Sequence, residues 1–572
     1  MRVPLIAHIR NAPPGAMNDD LIAGAITAIL LIPQGMAYAL LAGLPAEMGL
    51  YASIVPPALY ALFGTSRSLA VGPVAVAALM VAAALSEYAD GEAARWMSGA
   101  MILAFEVGAL LFLMGVLRLG VLVNFISHPV LSGFTTGAAL LIVLSQVPIL
   151  LGLSLPRGAA YETVLGVWHN LDAVHLLTLV FSCVAMLALL LARAPLSRAL
   201  RQLGMPPRAA LLLTRMAPLA IVAVGALAAA RLHGAEQGLR IVGAIPAGLP
   251  LPSLGFFAAD GWLALAGPAV LIALVGYVES ISVAKALAAR RRQKIDPDQE
   301  LRALGLANFG AAFAGTMPVA GGFSRSVVNF DAGAQTQRAA LVTSALVAVV
   351  AVFFTHWFFH LPKAVLAAII VVAVWQLVDF RSVVRHLRYD RADGASQVAT
   401  LLGVLIFGIE PGLLIGIGLS LALYLWRTSQ PHIALIGRVP GTEHFRNVQR
   451  HAVQTLPTAV FIRPDENLYF ANVAVVQKFI ADQVAEQGDI TDVVLVMSAV
   501  SYIDASGLEM LEQLVQDFAR AGIRLHLAEV KGPVMDRLKA APEVLEHLPV
   551  HLSAEGVFEA LQASSPEFAG QT

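Results

Sequence analysis

The pattern of apolar and polar residues divides the chain into two parts. Up to about Leu425, long apolar runs alternate with short polar connections, and from Arg427 onward apolar and polar residues alternate over shorter distances. Long apolar runs predict membrane-spanning helices, whereas short alternating runs predict the strands and amphipathic helices of a soluble domain. The pattern therefore predicts a transmembrane domain over residues 1–428 and an α/β domain over residues 429–572.

The first part divides into fourteen predicted spans. They lie near residues 21–41, 48–63, 69–86, 97–115, 129–151, 173–192, 209–230, 262–286, 302–315, 317–333, 338–355, 363–379, 395–408 and 411–426. Several are shorter than the ~20 residues of a full helical crossing, and the third and tenth are interrupted by Gly and Pro.

The distribution of positive charge predicts the orientation. With the N-terminus inside, sixteen Arg and Lys residues fall in inner loops, and five fall in outer ones: Arg95, Arg157, Arg231, Arg240 and Lys363. Arg and Lys are enriched in cytoplasmic loops. We therefore expect a multi-pass protein of a bacterial-type inner membrane with both termini in the cytoplasm.

Spans three and ten are interrupted by similar residues. Span ten begins with the sequence MPVAGGFSRS at residues 317–326, and Gly72-Pro73-Val74-Ala75 stands seven spans earlier. Pro and paired Gly disfavour helix, so a helix that restarts after them exposes free N–H groups and a positive dipole end. Because an odd number of spans separates the two breaks, they match the inverted repeats of transporters. We expect an anion site near Val74–Ala75 and Phe323–Ser324; the alternative is that Gly and Pro only kink packed spans.

Charged and polar side chains within the spans add to this site. Charged residues are costly at membrane depth and mark functional sites or structural ion pairs. Arg325 is the candidate counter-charge for the anion. Glu279, whose charged form is disfavoured by burial, is the candidate for proton coupling, and a permanent Glu279–Arg325 pair is the alternative. Gln34, Tyr38 and Ser282 are expected either to line the site or to make ordinary interhelical hydrogen bonds.

The composition excludes several other classes of protein. With 572 residues, 58% hydrophobic residues, 13% charged residues and a mean hydropathy of +0.75, the chain is too apolar for a soluble enzyme. A net charge of −1 gives no reason to expect nucleic acid. The single cysteine, Cys183, excludes an intrachain disulfide and a cysteine-based metal cluster. The absence of a Gly-rich Walker motif excludes an ATP-driven pump, and no cofactor or metal is predicted.

Several motifs, in the same order along the chain, resemble those of the sulfate permease (SulP) family of anion transporters. They are Pro33-Gln34-Gly35-Met36-Ala37-Tyr38-Ala39, Ala42-Gly43-Leu44-Pro45, Gly49-Leu50-Tyr51, Gly64-Thr65-Ser66-Arg67, Gly72-Pro73, Glu279-Ser280-Ile281-Ser282 and Gly322-Phe323-Ser324-Arg325-Ser326. In the tail, Ile503-Asp504-Ala505-Ser506-Gly507-Leu508 resembles the STAS domain, named for sulfate transporters and anti-sigma antagonists. The resemblance covers nearly the whole chain.

The resemblance implies an all-α polytopic membrane domain of two intertwined inverted repeats of seven spans. Each repeat would carry a half-helix preceded by a short strand. A core of spans 1–4 and 8–11 would move against a gate of spans 5–7 and 12–14, in elevator-type alternating access. A homodimer is also implied, with cytoplasmic STAS domains that bind a cytoplasmic protein. The implied substrate-binding residues are Gln34, Tyr38, Val74, Ala75, Phe323, Ser324 and Arg325, with Glu279 for proton coupling.

The STAS resemblance departs from the family pattern at one position. Soluble relatives are phosphorylated on a serine directly after the aspartate, and here that residue is Ala505. Ser506 follows one residue later, where we expect it to cap a helix. A phosphorylation switch of the family type is therefore not expected.

These features predict a secondary active transporter and not an enzyme. Sulfate, carried with protons, is the leading substrate, and bicarbonate or a C4-dicarboxylate is the alternative. A selectivity gap of only ~1–3 kcal/mol separates such anions. The rival classes are a regulatory protein that signals through its STAS domain, and an uncoupled anion channel, exchanger or voltage-responsive motor. The pocket residues and the missing phospho-acceptor argue against the regulator, and Glu279 argues against the uncoupled protein.

Overall fold

The computed structural model describes residues 3–121, 127–155, 160–192 and 194–564. The chain separates into two compact units, Met1–Ser420 and Leu421–Thr572. Two residues of the charge count, Arg157 and Arg193, lie outside the described residues.

Among the described residues up to 429, the regular structure consists of helices and one pair of very short strands. Its helices are α1 (Pro4–Arg10), α2 (Ala16–Leu41), α3 (Ala46–Tyr51), α4 (Val55–Phe63), α5 (Ala75–Tyr88), α6 (Ala93–Val116), α7 (His128–Leu151), α8 (Ala160–His169), α9 (Leu176–Ala192), α10 (Ala194–Gln202), α11 (Pro207–Arg231), α12 (Trp262–Arg290), α13 (Pro297–Phe313), α14 (Phe323–Asp331), α15 (Arg338–Phe353), α16 (Lys363–Val374), α17 (Phe380–Tyr389), α18 (Arg391–Phe407) and α19 (Ile409–Ser429). The strands are β1 (Val71–Gly72) and β2 (Ala320–Gly321). Single 3₁₀ turns are Leu171–Ala173, Gly255–Ala258, Thr355–Phe358 and Trp375–Leu377.

Seven helices of the described chain are long and apolar enough to cross a membrane, or eight if α9 and α10 count as one bent span. The seven are Ala16–Leu41, Ala93–Val116, His128–Leu151, Leu213–Arg231, Trp262–Arg290, Lys363–Tyr389 and Ile409–Ser429. The other predicted spans coincide with shorter or broken helices, such as α5 and α14. The chain is thus a multi-pass membrane protein by length and composition, and the count of fourteen stays a prediction.

A buried carboxylate fixes the connection between α4 and β1. Glu300 of α13 is fully buried and accepts a hydrogen bond from the hydroxyl of Tyr60 at 2.7 Å. It also accepts bonds from the Thr65 hydroxyl and N–H at 2.6 Å each, and from the Ser66 N–H at 3.1 Å. Because a charged side chain is buried at low cost only when its acceptors are used, this network ties the loop before β1 to α13.

The second unit is a six-stranded mixed sheet with helices. Its strands are β3 (Ile433–Arg438), β4 (Phe445–Asn447), β5 (Ala459–Pro464), β6 (Asp492–Val496), β7 (Arg524–Ala528) and β8 (Val550–His551), and its helices are α20 (Val473–Gln487), α21 (Ala505–Arg520), α22 (Gly532–Lys539), α23 (Pro542–Glu546) and α24 (Ala554–Ser564). The strand order is β4-β3-β5-β6-β7-β8, with β5 to β8 parallel and β3 antiparallel to both of its neighbours. Strands and helices alternate from β5 to α24, in agreement with the α/β fold predicted for the tail.

The expectation that Ser506 caps a helix was wrong. Helix α21 begins at Ala505, and its cap is Asp504, whose Oδ1 accepts the N–H of Gly507 at 2.9 Å. The second carboxylate oxygen, Oδ2, accepts the N–H of Phe470 at 2.8 Å. The aspartate therefore begins the helix and also holds the neighbouring loop, whereas Ser506 already lies in the first turn.

A buried carboxylate also links two central strands of this unit. Asp492 of β6 accepts bonds from His526 Nε2 at 2.8 Å and Arg524 Nε at 2.9 Å, both on β7. Burial alone would raise the pKa of Asp492, but the hydrogen bonds from His526, Arg524 and Thr491 outweigh it and lower the pKa. The ionised carboxylate therefore stabilises the β6–β7 pairing at neutral pH, and this contribution disappears as the pH falls below the pKa of an unfolded aspartate.

Candidate anion site

The two interrupted segments meet through their strands. β1 and β2 pair antiparallel, with Val71 opposite Gly321 and Gly72 opposite Ala320. Helix α5 begins soon after β1, and α14 begins soon after β2. Because the strands are antiparallel, the two helices leave the pair in opposite directions with their N-terminal ends close to it. The sequence echo thus corresponds to a real contact between distant segments.

Neither helix start is capped by a side chain. The N-cap residues are Val74 for α5 and Gly322 for α14, and neither makes a side-chain cap hydrogen bond in the part of the chain that the structure describes. α5 has 14 residues and α14 has 9, so each is too short for a full crossing. The uncapped ends carry free donors and about half a positive charge each.

Three polar side chains hold the strand pair in place. Ser326 Oγ accepts the N–H of Ala70 at 2.9 Å, and Ser280 Oγ accepts the N–H of Gly321 at 2.8 Å. The amide of Asn308 bonds both backbone groups of the residue directly before β2, at 2.9 and 3.0 Å. These side chains supply the hydrogen bonds that neighbouring strands would supply in a wider sheet. The two strands, of two residues each, are therefore held in a fixed position.

Arg325 lies between the two helix starts. It is 3% exposed, and its Nη1 donates to the carbonyl of Pro73, just before α5. Its guanidinium packs on the start of its own helix, since a Cβ at Gly322 would lie 2.9 Å from Nη2. Its Nε and Nη2 have no hydrogen-bond partner among the residues that the structure describes. Buried donors in proteins are nearly always paired, with protein groups or with water, so these two donors are available to an acceptor in the cavity that Arg325 lines.

A small cavity of about 50 Å³ lies at this junction. It is lined by Gln34, Tyr38, Val74, Ala75, Val76, Glu279, Gly322, Phe323, Ser324, Arg325, Ala373, Val374 and Leu377. All eight residues predicted for the substrate and proton sites are in this set. At roughly 10–15 Å³ for each water, the cavity has room for about three to five waters, or for one compact oxyanion.

Glu279 and Arg325 share the cavity but do not form an ion pair. None of the pairs within 4.0 Å among the described residues joins them, and two of the three guanidinium nitrogens of Arg325 have no hydrogen-bond partner. Glu279 lies on α12 and is partly exposed. The alternative of a permanent Glu279–Arg325 pair therefore does not hold in this conformation.

The sequence analysis missed some residues of the cavity. Ala373 and Val374 of α16, with Leu377 of the following 3₁₀ turn, form one wall. They are apolar residues in an apolar run, so no sequence signal marks them. Ser282, for which lining the site was one of two alternatives, is exposed and does not line the cavity, whereas Ser280 on the same helix holds β2.

The described residues contain no group of three or more His, Cys, Asp or Glu side chains that could hold a metal ion. The polar groups of the cavity are the amide of Gln34, the hydroxyls of Tyr38 and Ser324, the guanidinium of Arg325 and the carboxylate of Glu279. Together with the free N–H groups of two helix starts, this set suits the binding of an anion and not of a cation.

Two protein-family models match the chain. A model described as the sulfate permease family matches residues 17–400, and a model described as the STAS domain matches residues 450–553. The chain is 37% identical over 539 residues to the probable sulfate transporter 4.2 of Arabidopsis thaliana, covering 91% of this chain and 77% of that protein. It is 34% identical over 544 residues to a probable sulfate transporter of Mycobacterium tuberculosis, covering 94% of both.

Two solved structures share the fold. The murine Solute Carrier 26 family member A9 anion transporter, in its inward-facing state, matches with a TM-score of 0.89 at 22% identity and covers 98% of this chain and 94% of that one. The transmembrane domain of the cyanobacterial bicarbonate transporter BicA matches with a TM-score of 0.59 at 21% identity and covers 71% of this chain and 98% of that one.

Proposed function

The chain belongs to the sulfate permease family of anion transporters, and we propose that it is a secondary active transporter of a small inorganic oxyanion, with sulfate as the leading substrate. The observation that carries the proposal is Arg325, a buried cation with two unpaired donors where two uncapped helices begin. The relatives at 34–37% identity that are named as sulfate transporters support the choice of substrate.

The size of the cavity favours a compact anion. A space for about three to five waters fits the five heavy atoms of sulfate or the four of bicarbonate. A C4-dicarboxylate, with eight heavy atoms along a chain, would extend beyond this space toward the exposed side chains of Phe323 and Ser324. Bicarbonate stays the alternative, since the fold is shared with a bicarbonate transporter.

The charges of the site favour a divalent anion carried with a proton. Two helix ends contribute roughly half a positive charge each, and Arg325 contributes one more, which gives about two positive charges. Ionised Glu279 reduces this to about one. When a proton neutralises Glu279, the site balances the two negative charges of sulfate. We therefore assign Glu279 to proton coupling.

The proposed cycle follows the elevator scheme of the family. In it the core of spans 1–4 and 8–11 carries Gln34, Tyr38, Glu279 and the two half-helices, while the gate of spans 5–7 and 12–14 supplies the opposite wall. Movement of the core against the gate then exposes the anion to each side in turn. We further propose a homodimer with both termini in the cytoplasm and a STAS domain, residues 429–572, that binds a cytoplasmic protein.

Uptake by purified protein in liposomes tests the proposal. We expect saturable uptake of labelled sulfate that increases with an inward proton gradient, and weaker uptake of bicarbonate and fumarate. Preference for bicarbonate would replace sulfate with the alternative substrate. A large unsaturable conductance would identify an uncoupled channel, and the absence of any flux would favour a regulatory protein.

A further inference from the structure

Helix α17, Phe380–Tyr389, carries a basic side that no part of the described chain covers. Its sequence, FRSVVRHLRY, contains three arginines and no carboxylate. At 100° per residue, Arg381, Arg385 and Arg388 fall within about 60° of one another around the helix axis. All three are exposed, and with Val384 and Tyr389 they line a surface cavity of about 430 Å³.

The three arginines have no acidic partner. None of them makes an ion pair or a hydrogen bond with a residue that the structure describes. The carboxylates that flank the helix are used as caps: Asp379 Oδ1 accepts a backbone N–H of α17 at 3.1 Å, and Asp390 Oδ1 accepts one of α18 at 2.9 Å. The positive charge of this side is therefore free for an external anion.

Another side of α17, about 110° around the axis from the arginines, is fixed to the protein. Ser382 is buried, and its hydroxyl accepts a bond from Gln397 Nε2 at 2.7 Å. His386 Nδ1 lies 2.6 Å from Gln397 Oε1. Because one glutamine of α18 holds two successive turns of α17, the helix cannot easily rotate its arginines toward the protein.

An apolar side lies next to the basic one. Phe380, Val384 and Leu387 are 54%, 51% and 42% exposed, and they also fall within about 60° of one another around the axis. Trp375, before the helix, and Tyr389, at its end, are 55% and 91% exposed. Adjacent basic and apolar sides with aromatic residues at both ends are the pattern of a helix that lies in the membrane–water interface.

We propose that α17, the end of the candidate span Lys363–Tyr389, lies at this interface where that span leaves the membrane, and that Arg381, Arg385 and Arg388 bind the headgroups of anionic phospholipids. The apolar side contacts the acyl chains while the arginines reach the phosphates. Arginine suits this role because its planar fork of donors matches phosphate oxygens. The three unpaired positive charges favour an anionic lipid over a zwitterionic one, because they attract a surface with a net negative charge.

The position of α17 links this lipid site to the anion cavity. Two residues separate α17 from the 3₁₀ turn Trp375–Leu377, and Ala373, Val374 and Leu377 form a wall of that cavity. A lipid that holds α17 therefore also holds this wall. We therefore expect transport to depend on anionic lipid. This expectation rests on the proposed function, whereas the binding of lipid to α17 is independent of it.

The binding is tested with the purified full-length protein in a neutral detergent. Its thermal stability is followed while dioleoylphosphatidylglycerol, dioleoylphosphatidylcholine or inorganic phosphate is added. The variants are the triple Arg381→Gln/Arg385→Gln/Arg388→Gln, the corresponding triple Lys variant, and the single Arg385→Gln. The control is Arg446→Gln/Arg450→Gln, which removes two exposed arginines of the second unit.

We expect phosphatidylglycerol, but not phosphatidylcholine, to stabilise the wild type. Inorganic phosphate is an oxyanion that the cavity at Arg325 also suits, so any stabilisation by it is expected to be equal in the wild type and in the triple Gln variant. Each arginine contributes about fivefold in affinity at an anionic surface, so the triple Gln variant needs about a hundredfold more phosphatidylglycerol and Arg385→Gln about fivefold more. The control is expected to respond like the wild type. The triple Lys variant is expected to need more phosphatidylglycerol than the wild type and less than the triple Gln variant, because lysine keeps the charge and loses the planar fork. An unchanged midpoint in both Gln variants, or stabilisation by inorganic phosphate that is lost in the triple Gln variant, overturns the proposal.

In liposomes, the same variants separate lipid binding from transport itself. The wild type is expected to take up its anion faster when phosphatidylglycerol is present, and the triple Gln variant is expected to show equal uptake with and without it. If the wild type takes up no anion in any lipid, the proposed function fails while the thermal result still decides the lipid site.

Discussion

Replacement of Arg325 by methionine separates the stability of the fold from the binding of the anion. Methionine has a similar length and no donor. In the structure the arginine makes one hydrogen bond, to the carbonyl of Pro73, and leaves Nε and Nη2 unpaired. The substitution therefore removes one hydrogen bond and two donors that have no partner in the protein.

The two effects differ in size. A buried donor without a partner costs about 1–3 kcal/mol, and a hydrogen bond from a charged group contributes about 1.5–3 kcal/mol. Loss of the bond and relief of the unpaired donors therefore oppose each other. We expect the free energy of unfolding of Arg325→Met to change by less than about 2 kcal/mol. Binding loses two charge-assisted bonds to the anion, about 3–6 kcal/mol, which is a hundredfold or greater loss of affinity.

Arg291 supplies the matched control. It lies at the end of α12, and its guanidinium donates to the carbonyls of Phe330, at 3.1 Å, and Ala334, and stacks on the Phe330 ring at 4.2 Å. Its donors are thus used within the protein. Arg291→Met is expected to lower the free energy of unfolding by about 2–4 kcal/mol and to leave anion affinity nearly unchanged.

The assay combines two measurements on each variant. Binding of labelled sulfate to detergent-solubilised protein gives the affinity, and thermal unfolding without sulfate gives the stability. The reasoning fails if Arg325→Met retains sulfate affinity within about threefold of the wild type, or if it loses as much stability as Arg291→Met. In either case Arg325 would be a structural residue whose unpaired donors have no substrate role.

Three further predictions concern residues around the same site. Glu279→Gln is expected to abolish the stimulation of uptake by an inward proton gradient while anion binding persists, and an unchanged response in liposomes would remove its coupling role. Gly322→Ala places a Cβ 2.9 Å from Arg325 Nη2, whereas the Cβ of Gly255→Ala meets open space. We therefore expect Gly322→Ala to lose at least tenfold more uptake than Gly255→Ala. The Arg215–Asp331 pair, at 3.0 Å, joins the proposed gate to the proposed core, so Arg215→Gln should change the rate of anion uptake by up to about fivefold. If the double variant with Asp331→Asn shows the sum of the two single effects on the logarithm of the uptake rate, the pair has no role.

The sequence located the two helix starts and the residues around the cavity between them, whereas the number of spans and the role of the cavity stay predictions. The echo between Gly72-Pro73 and Met317-Pro318 located the two helix starts, since Gly and Pro have a definite effect on the backbone. The family resemblance placed Gln34 and Tyr38 in the cavity, and the matches of the family models confirm that resemblance. Span counting is weaker because α5 and α14 do not have the length of a crossing.

Other parts of the structure depend on contacts that leave no mark in the sequence. The wall formed by Ala373 and Val374 is apolar, like the rest of α16, so only the fold indicates which side faces the cavity. Strands β4 and β8 have three and two residues, too few for a readable alternation. The burial of Glu300 depends on the loop at Thr65, over two hundred residues away along the chain.

The lack of an ion pair between Glu279 and Arg325 has a consequence for coupling. If the two side chains were paired, the anion would have to break that pair, and binding would be weakened by its strength. In the observed geometry, Nε and Nη2 of Arg325 are available to the anion, and the carboxylate of Glu279 acts on the anion only through its negative charge. Protonation of Glu279 then strengthens anion binding without any rearrangement of Arg325, and anion binding favours protonation by the same factor. A reciprocal linkage of this kind is what the proposed proton–anion symport requires of the binding steps; symport further requires that the carrier changes access only when both proton and anion are bound or neither is.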